Sequence, residues 1–420
     1  MTSPERGVRA LFFTYFGFVG IFSPYLSLYF ADAGMTVAQI GVLMSLPQVL
    51  RIIGPPFWGW LADHSFARLS ILRFSAIATL ALVCLFPLVI GYGYWAMMPY
   101  LVALFFMTAA QTPINEAMAV QIANGDQGRY GKMRLWGSIG FILTVTTMGP
   151  LLDWVGLASL PYWMTLGAAG MLWASFSRLN AGETAGTGVG AGAGRRAGPG
   201  AGPGAGPRAD KIKAGSSQAI VSASIGRVRS RLLQPEIAWF FVANGLMVFS
   251  HAALYVLFSL YLESNGYSKT DVGLFWAISV VAEIILFRYQ KFIFERFDLM
   301  PLFALSLLVA ALRFGAVGLL APTVALLVIT QISHALTFGL HHSAAMGLLH
   351  RWFEPGQQGR AQAVYIVSSY GLGGSVGGLL CSQLWVHFYP AAAFLGAAGA
   401  GLLGTISALL SWHYARRRSL

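Results

Sequence analysis

An all-α integral membrane protein with twelve transmembrane helices is the fold class this chain predicts. Three observations predict it. The first is a succession of twelve apolar stretches, each long enough to cross a bilayer, in 420 residues. About 20 apolar residues in a helix span the hydrocarbon core, where only helices and closed barrels satisfy every backbone N–H and C=O. The second is composition: 56% hydrophobic, 10% charged and a mean hydropathy of +0.65, against about 25% charge in a soluble domain. The third is an internal repeat, which divides the spans into two sets of six.

The spans read, in order, 8–31, 36–62, 69–91, 94–123, 131–155 and 157–177, then 236–262, 270–294, 299–320, 322–349, 359–385 and 388–412. The first run is too long for a cleavable signal and continues into a second span after a brief turn. Pro55 and Pro56 loosen the second span just below Arg51. In the eleventh, Gly373/Gly377 and Gly374/Gly378 sit four apart, the small-xxx-small spacing that lets helices approach closely. Cys84 and Cys381 fall inside predicted helices, so neither a disulfide framework nor a thiol metal site is readable.

Between the two sets runs 178–235, a low-complexity segment carrying RRAGPGAGPGAGPR. Its Gly and Pro deny it a helix and it has little to bury, so it reads as a disordered tether. The predicted organisation is a six-helix bundle over 1–177, a cytoplasmic linker over 178–235 and a second six-helix bundle over 236–420.

Orientation follows from Lys and Arg near the helix ends. Arg6, Arg9, Arg68, Arg73, Arg129, Lys132, Arg288, Lys291, Arg296, Arg351, Arg360 and Arg416 to Arg418 share one side with the basic residues of the linker. The other side carries only Lys269, beside Glu263 and Asp271. Both termini are therefore expected in the cytoplasm, in a multi-pass plasma (inner) membrane protein. The net charge of +12 reflects this bias. Spread over many short loops, it forms no nucleic-acid-binding face.

A shift of 232 residues aligns the first two spans with the seventh and eighth without a gap: SLYFADAGMTVAQIG (27–41) falls on SLYLESNGYSKTDVG (259–273). The same register sets Asp63 on Glu295 and Arg51 on Glu283. Internal repeats mark secondary transporters, whose site lies near the midplane at the repeat interface. The expected partners are accordingly a small-molecule substrate and the bilayer, and the chain is expected to act as a monomer.

This layout resembles the major facilitator superfamily over the whole chain. The superfamily's loop signature, G-x-x-x-D-(R/K)-x-G-x-(R/K), is matched in part by Gly59, Asp63 and Arg68, with His64 and Phe66 as departures. The resemblance implies a cytoplasmic gate at Gly59, Asp63 and Glu295, with Asp63 capping a neighbouring helix or pairing with an Arg.

Ionisable groups within a bilayer cost about 2.5–3.5 kcal/mol each on insertion scales and are candidates for function. They are Arg51, Glu116, Arg134, Glu283 and Arg313, with His251, His334, His341 and His342. Glu116 and Arg134 are expected to pair across adjacent helices. Glu283, Arg313 and His334 come one from each of three successive helices. The set is similar to that of the lactose-permease-type proton symporters. Those carry a further acid one turn after the His, where this chain has Thr337, so Glu283 leads as proton carrier, with Glu116 and His334 behind it. A carboxyl withdrawn from water loads a proton readily; the alternative is a permanent salt bridge to Arg313 or Arg51. His341 and His342, being adjacent, are expected to point to different faces, only one of them toward a cavity.

RYGKMRLWGSIGF (129–141), HAALYVLFSLY (251–261), YLESNGYSKTDVGLFWAISVVAEIILF (261–287) and the surroundings of Arg313 and His334 resemble the phenylpropionate permease family, proton-driven importers of aromatic carboxylates. An aromatic acid needs a cation for its head, ideally the two-pronged guanidinium of Arg, and a flat apolar wall for its ring. Arg51, Arg313 and Arg134 are candidates for the head, Asn115 and Gln331 for polar contacts, and Tyr365 for the ring. Tyr15, Phe22, Tyr25, Tyr255, Phe258, Trp276 and Tyr370 serve the ring or pack helices. Two rivals share the fold. A sugar or nucleoside symporter needs no spare Arg. A drug/proton antiporter carries G-x-x-x-G-P-x-x-G-G on the fifth span, whereas here Val145 precedes Gly149-Pro150, and Leu151, Leu152 and Asp153 follow. No nucleophile–base set, phosphate loop or metal-ligand spacing is present, so no enzyme, cofactor or metal is expected.

Overall fold

The computed structural model describes residues 3–64, 67–176 and 230–419. Most of the expected linker, 178–229, and Phe66 of the loop signature lie outside the described residues. Every regular element among the described residues is helical.

Eleven described helices are long and apolar enough to cross a membrane: α1 (Pro4–Asp32), α2 (Val37–His64), α3 (Arg68–Tyr92), α4 (Tyr94–Ala123), α5 (Gln127–Val155), α7 (Pro235–Ser264), α8 (Lys269–Arg296), α9 (Leu299–Leu320), α10 (Val324–Trp352), α11 (Pro355–His387) and α12 (Pro390–Arg418). The sixth expected span is α6 (Leu160–Phe176), 17 residues long, which runs to the edge of the described segment. Several helices extend past their apolar windows, because capping rather than hydropathy sets their ends. Helix α5 starts at Gln127, four residues early, where the Asp126 side chain accepts from Arg129 N. Helix α11 starts at Pro355, a residue suited to the first helical position.

Helix pairing is regular. Helix α1 packs on α5 and α6, and α3 on α6; six helices on, α7 packs on α11 and α12, and α9 on α12. The two sets of six meet along two seams, α2 against α11 and α5 against α8. The two glycine pairs of α11 serve different neighbours. A Cβ on Gly377 would lie 2.6 Å from Phe249 O of α7, whereas one on Gly374 would lie 3.1 Å from Gln48 of α2. One pair thus lets α11 approach its own set, and the other closes the seam. Helix α7 is central, with 78% of its most apolar window buried; α3, at 28%, offers a bare apolar flank to lipid.

Two helices lose α geometry within the membrane. Helix α10 carries a π-helical segment at Ala335–Leu340 and α11 another at Ile366–Gly373. Such insertions rotate the residues that follow and are frequent at functional sites.

Candidate substrate and proton site

The left-handed cap at Asn124 (φ 49°) and Gly125 (φ 85°) folds α5 back along α4 and sets Glu116 opposite Arg134. Arg134 Nε donates to Glu116 Oε1 at 3.0 Å, and the Tyr130 hydroxyl donates to Glu116 Oε2. The Arg134 guanidinium also lies 4.4 Å above the Phe16 ring of α1. Beside them Asn115 is fully buried, and neither of its amide atoms has a hydrogen-bond partner.

The second set forms one hydrogen-bonded chain. Arg313, 2% exposed, donates to Thr330 O at 2.8 Å, His334 Nδ1 at 2.9 Å, Thr337 Oγ1 at 3.2 Å and Gln331 Oε1 at 3.3 Å. A guanidinium has no acceptor atom, so His334 Nδ1 must accept. The remaining proton of a neutral His334 then sits on Nε2, which donates to Glu283 Oε1 at 2.8 Å. Arg313 thereby fixes the tautomer and the aim of His334, while four of its own five N–H groups are taken up by the protein. At the far end, His251 Nδ1 is tied to Met247 O, so Nε2 faces the Thr337 hydroxyl at 3.2 Å as an acceptor. Thr337 lies between two members of this set: its hydroxyl joins Arg313 to His251.

The third feature is Arg51. It lies 4.9 Å above the Tyr370 ring of α11, from the opposite set of six helices. No described acidic residue pairs with it. Tyr370 borders a narrow cleft together with His251, Tyr255, Phe338, His342 and Tyr365. Tyr255 stacks on Trp276 at 6.2 Å, and Trp276 meets Phe141 of α5 at 6.5 Å. Both His341 and His342 border this cleft, contrary to the expectation that only one would. The adjacent π-helical segment departs from the 3.6-residue period on which that expectation rested. Their bonds differ: His341 is held by Ser306 and Asn244, while His342 Nδ1 faces the Tyr365 hydroxyl at 3.4 Å.

The expected gate residues stand apart from these sets. Asp63 pairs with Arg68 at 3.6 Å, and Glu295 with Lys291 at 3.7 Å, one turn away on its own helix. Around Gly59 there is open space. No hydrogen bond or ion pair carries these three to the opposite set of helices among the described residues.

Residues 7–396 match the family described as MFS_1 like. The chain belongs to the MFS_1 like family. This MFS_1-like protein is 29% identical over 378 residues to the probable 3-phenylpropionic acid transporter of Escherichia coli (strain K12), covering 87% of this chain and 86% of that one. It is 25% identical to the maltose permease of Geobacillus stearothermophilus, covering 86% and 82%. Among solved structures, the nucleoside transporter NupG superposes with a TM-score of 0.78 at 15% identity, over 97% of this chain and 99% of that one. At that identity the likeness shows the fold. The MFS_1-like chain is thus a multi-pass membrane transporter, and its relatives and structural neighbours are transporters, not enzymes.

Sequence reasoning missed three residues that the structure ties into these sets or across a seam. Tyr130 lies one turn before Arg134 on the same face, a legible spacing. Ser279, which donates to Gln331 Oε1 at 2.9 Å, gives no sequence signal among the many membrane serines. Asp153 was read only as a departure from the efflux motif, yet it bonds across a seam.

Proposed function

We propose that this MFS_1-like transporter is a proton-coupled symporter that imports a small organic acid, an aromatic carboxylate of the phenylpropionate kind. Its unit would be a monomer of twelve spans in two pseudo-symmetric six-helix bundles joined by the 178–235 linker. It would sit in the inner membrane with both termini cytoplasmic. The observation that carries the substrate reading is Arg51: a cation within a membrane span, without an acidic partner among the described residues, at the edge of a cleft walled by Tyr255, Tyr365 and Tyr370. A substrate carboxylate supplies the missing anion and the tyrosines face its ring. The relative named as a probable 3-phenylpropionic acid transporter supports the same class.

In this reading Glu283 carries the proton. His334 Nε2–H holds the ionised form, and Arg313 keeps His334 neutral and aimed. A proton arriving on Glu283 cancels its charge and loosens the bond it accepts from His334 Nε2. The Glu116–Arg134–Tyr130 set places the counter-charge, and Asn115 and Gln331 contribute polar contacts. At the arginine-rich end, Gly59, Asp63 and Glu295 form a gate that engages when that end closes.

A sugar or nucleoside symporter is the second reading, favoured by the maltose permease relative and the unpartnered Asn115 amide. Uptake into proteoliposomes of labelled aromatic acids, sugars and nucleosides, with and without an inward proton gradient, separates the two. Gradient-driven accumulation of an aromatic acid is expected. Accumulation of sugars or nucleosides alone would overturn the proposal.

A further inference from the structure

The α5–α8 seam ends in a bond that the transport chemistry does not use. Helix α8 begins with a capping box: Ser268 Oγ accepts from Asp271 N at 3.1 Å, and the Asp271 carboxylate accepts from Ser268 N at 2.9 Å. That internal cap leaves the N–H groups of Lys269 and Thr270 without a partner on their own helix, as at any helix start. Asp153, in the last turn of α5, supplies one. Its Oδ1 accepts from Lys269 N at 3.1 Å; its Oδ2 accepts from Thr270 N at 2.9 Å and from the Thr270 hydroxyl at 2.6 Å. The carboxylate therefore completes, from the opposite set of helices, the cap that α8 does not make for itself. It also faces the positive end of the α8 dipole.

The backbones beneath it touch. A Cβ on Gly149 would lie 2.7 Å from Thr270 Cα, and one on Gly273 would meet Val145 O. The Tyr25 hydroxyl donates to Val145 O at 2.8 Å and lies 3.5 Å from Lys269 O. The Lys269 ammonium is directed elsewhere, to Glu263 at 3.8 Å. Asp153 thus grips the helix end itself.

We propose that Asp153 is the latch that holds the transporter shut at the end opposite its arginine-rich loops. The inference rests on the reading of the chain as an alternating-access transporter. Asp153 is exposed to water. When the seam parts, both the carboxylate and the freed N–H groups are rehydrated, so the latch biases a reversible equilibrium and is not a permanent staple. Its charge-assisted bonds are made in the closed form only.

The test reads conformation without any substrate. Spin labels at Ala158 and Ser264, both exposed and on opposite sets of helices at this end, report its width in nanodiscs by pulsed dipolar spectroscopy. Asp153→Ala is expected to raise the ratio of open to closed populations by about tenfold or more, the scale of losing charge-assisted hydrogen bonds. Asp153→Asn, which keeps one acceptor and loses the charge, should fall between wild type and Asp153→Ala. Replacing the Lys269 side chain by Ala leaves the gripped backbone in place and should shift the ratio far less. An unchanged distance distribution in a monodisperse Asp153→Asn or Asp153→Ala protein overturns the latch. So does a Lys269→Ala shift equal to that of Asp153→Ala. Because no substrate is present, failure of the substrate reading leaves this result untouched, and a failed latch leaves the uptake result untouched.

Discussion

Arg51 and Arg313 carry the same charge and hold different work. Arg313 is enclosed, and four of its five N–H groups are bonded to the protein, so a two-pronged substrate contact would have to displace His334, Thr337 or Gln331. Arg51 rests on a tyrosine face and has no acidic partner among the described residues. Arg51→Gln is therefore expected to raise the KM for an aromatic acid about 10- to 100-fold, the loss of a charged hydrogen-bonded contact. Arg51→Lys should recover only part of it, since a point charge cannot reproduce a two-pronged contact. Initial uptake rates over a substrate series decide this; an unchanged KM in Arg51→Gln would move the head-group site elsewhere. Glu283→Gln mimics the protonated form permanently. It should still exchange labelled for unlabelled substrate across the membrane while losing accumulation driven by a proton gradient. Uphill accumulation at the normal rate by this variant would reassign coupling, with Glu116 next.

Glycine contacts and caps decide how the helices sit against one another. Gly140 of α5 faces the backbone of Phe13 in α1 so closely that a Cβ would collide with the Phe13 carbonyl. Gly140→Ala must push α1 from α5, a forced repacking that costs about 1–3 kcal/mol. Thermal melting followed by size-exclusion chromatography should show a lowered midpoint. Gly59→Ala, where open space surrounds the glycine, should leave that midpoint almost unchanged by comparison. Between α8 and α9, Asp298 pairs with Arg351 at 2.9 Å, and that hydrogen bond holds its carboxyl below the ordinary value of 3.8. A lowered folded-state value contributes stability that is complete above the unfolded value and is lost as pH falls through the folded one. Both side chains are half exposed, so the contribution stays within about 1 kcal/mol. The difference in melting midpoint between wild type and Arg351→Ala should be present at neutral pH and vanish in strong acid.

At the scale of the molecule, the contacts that cross between the two sets of helices run from the cleft to one end. Along α2 and α11, Gly374 meets Gln48, Gly378 meets Ser45 and Gly41 meets Ser382; along α5 and α8, Trp276 meets Phe141 and Asp153 caps the helix start. The expected gate residues at the arginine-rich end bond only within their own set. This asymmetry suits a transporter closed at the latch end. Gly41→Val, whose Cβ would lie 2.5 Å from Ser382 Cβ, is expected to hold this seam apart and to move the Ala158–Ser264 distance distribution toward the open form. An unchanged distribution in a monodisperse Gly41→Val protein would show that this seam does not close the molecule.

Hydropathy and charge placement are properties of the linear chain, and they were enough for the class. Eleven expected spans appear as membrane-length helices, and a shorter helix occupies the sixth position. The neighbourhood of Glu116 and Arg134 was legible for the same reason, since a three-residue connection leaves adjacent helices little choice of partner. Partners of Arg51, Arg313 and Asp153 were not legible. A side chain's partner depends on the rotation of each helix about its axis. That rotation is set by distant backbone contacts at glycines and by π-helical insertions in α10 and α11. Asp153 and the start of α8 lie 116 residues apart in sequence, and no local pattern marks one as the cap of the other. The sequence by itself determined a membrane transporter and the short set of charges it buries. Only the packed structure decided which of those charges the protein surrounds with its own hydrogen-bond partners, as at Arg313, and which rests on an aromatic face without a described acidic partner, as at Arg51.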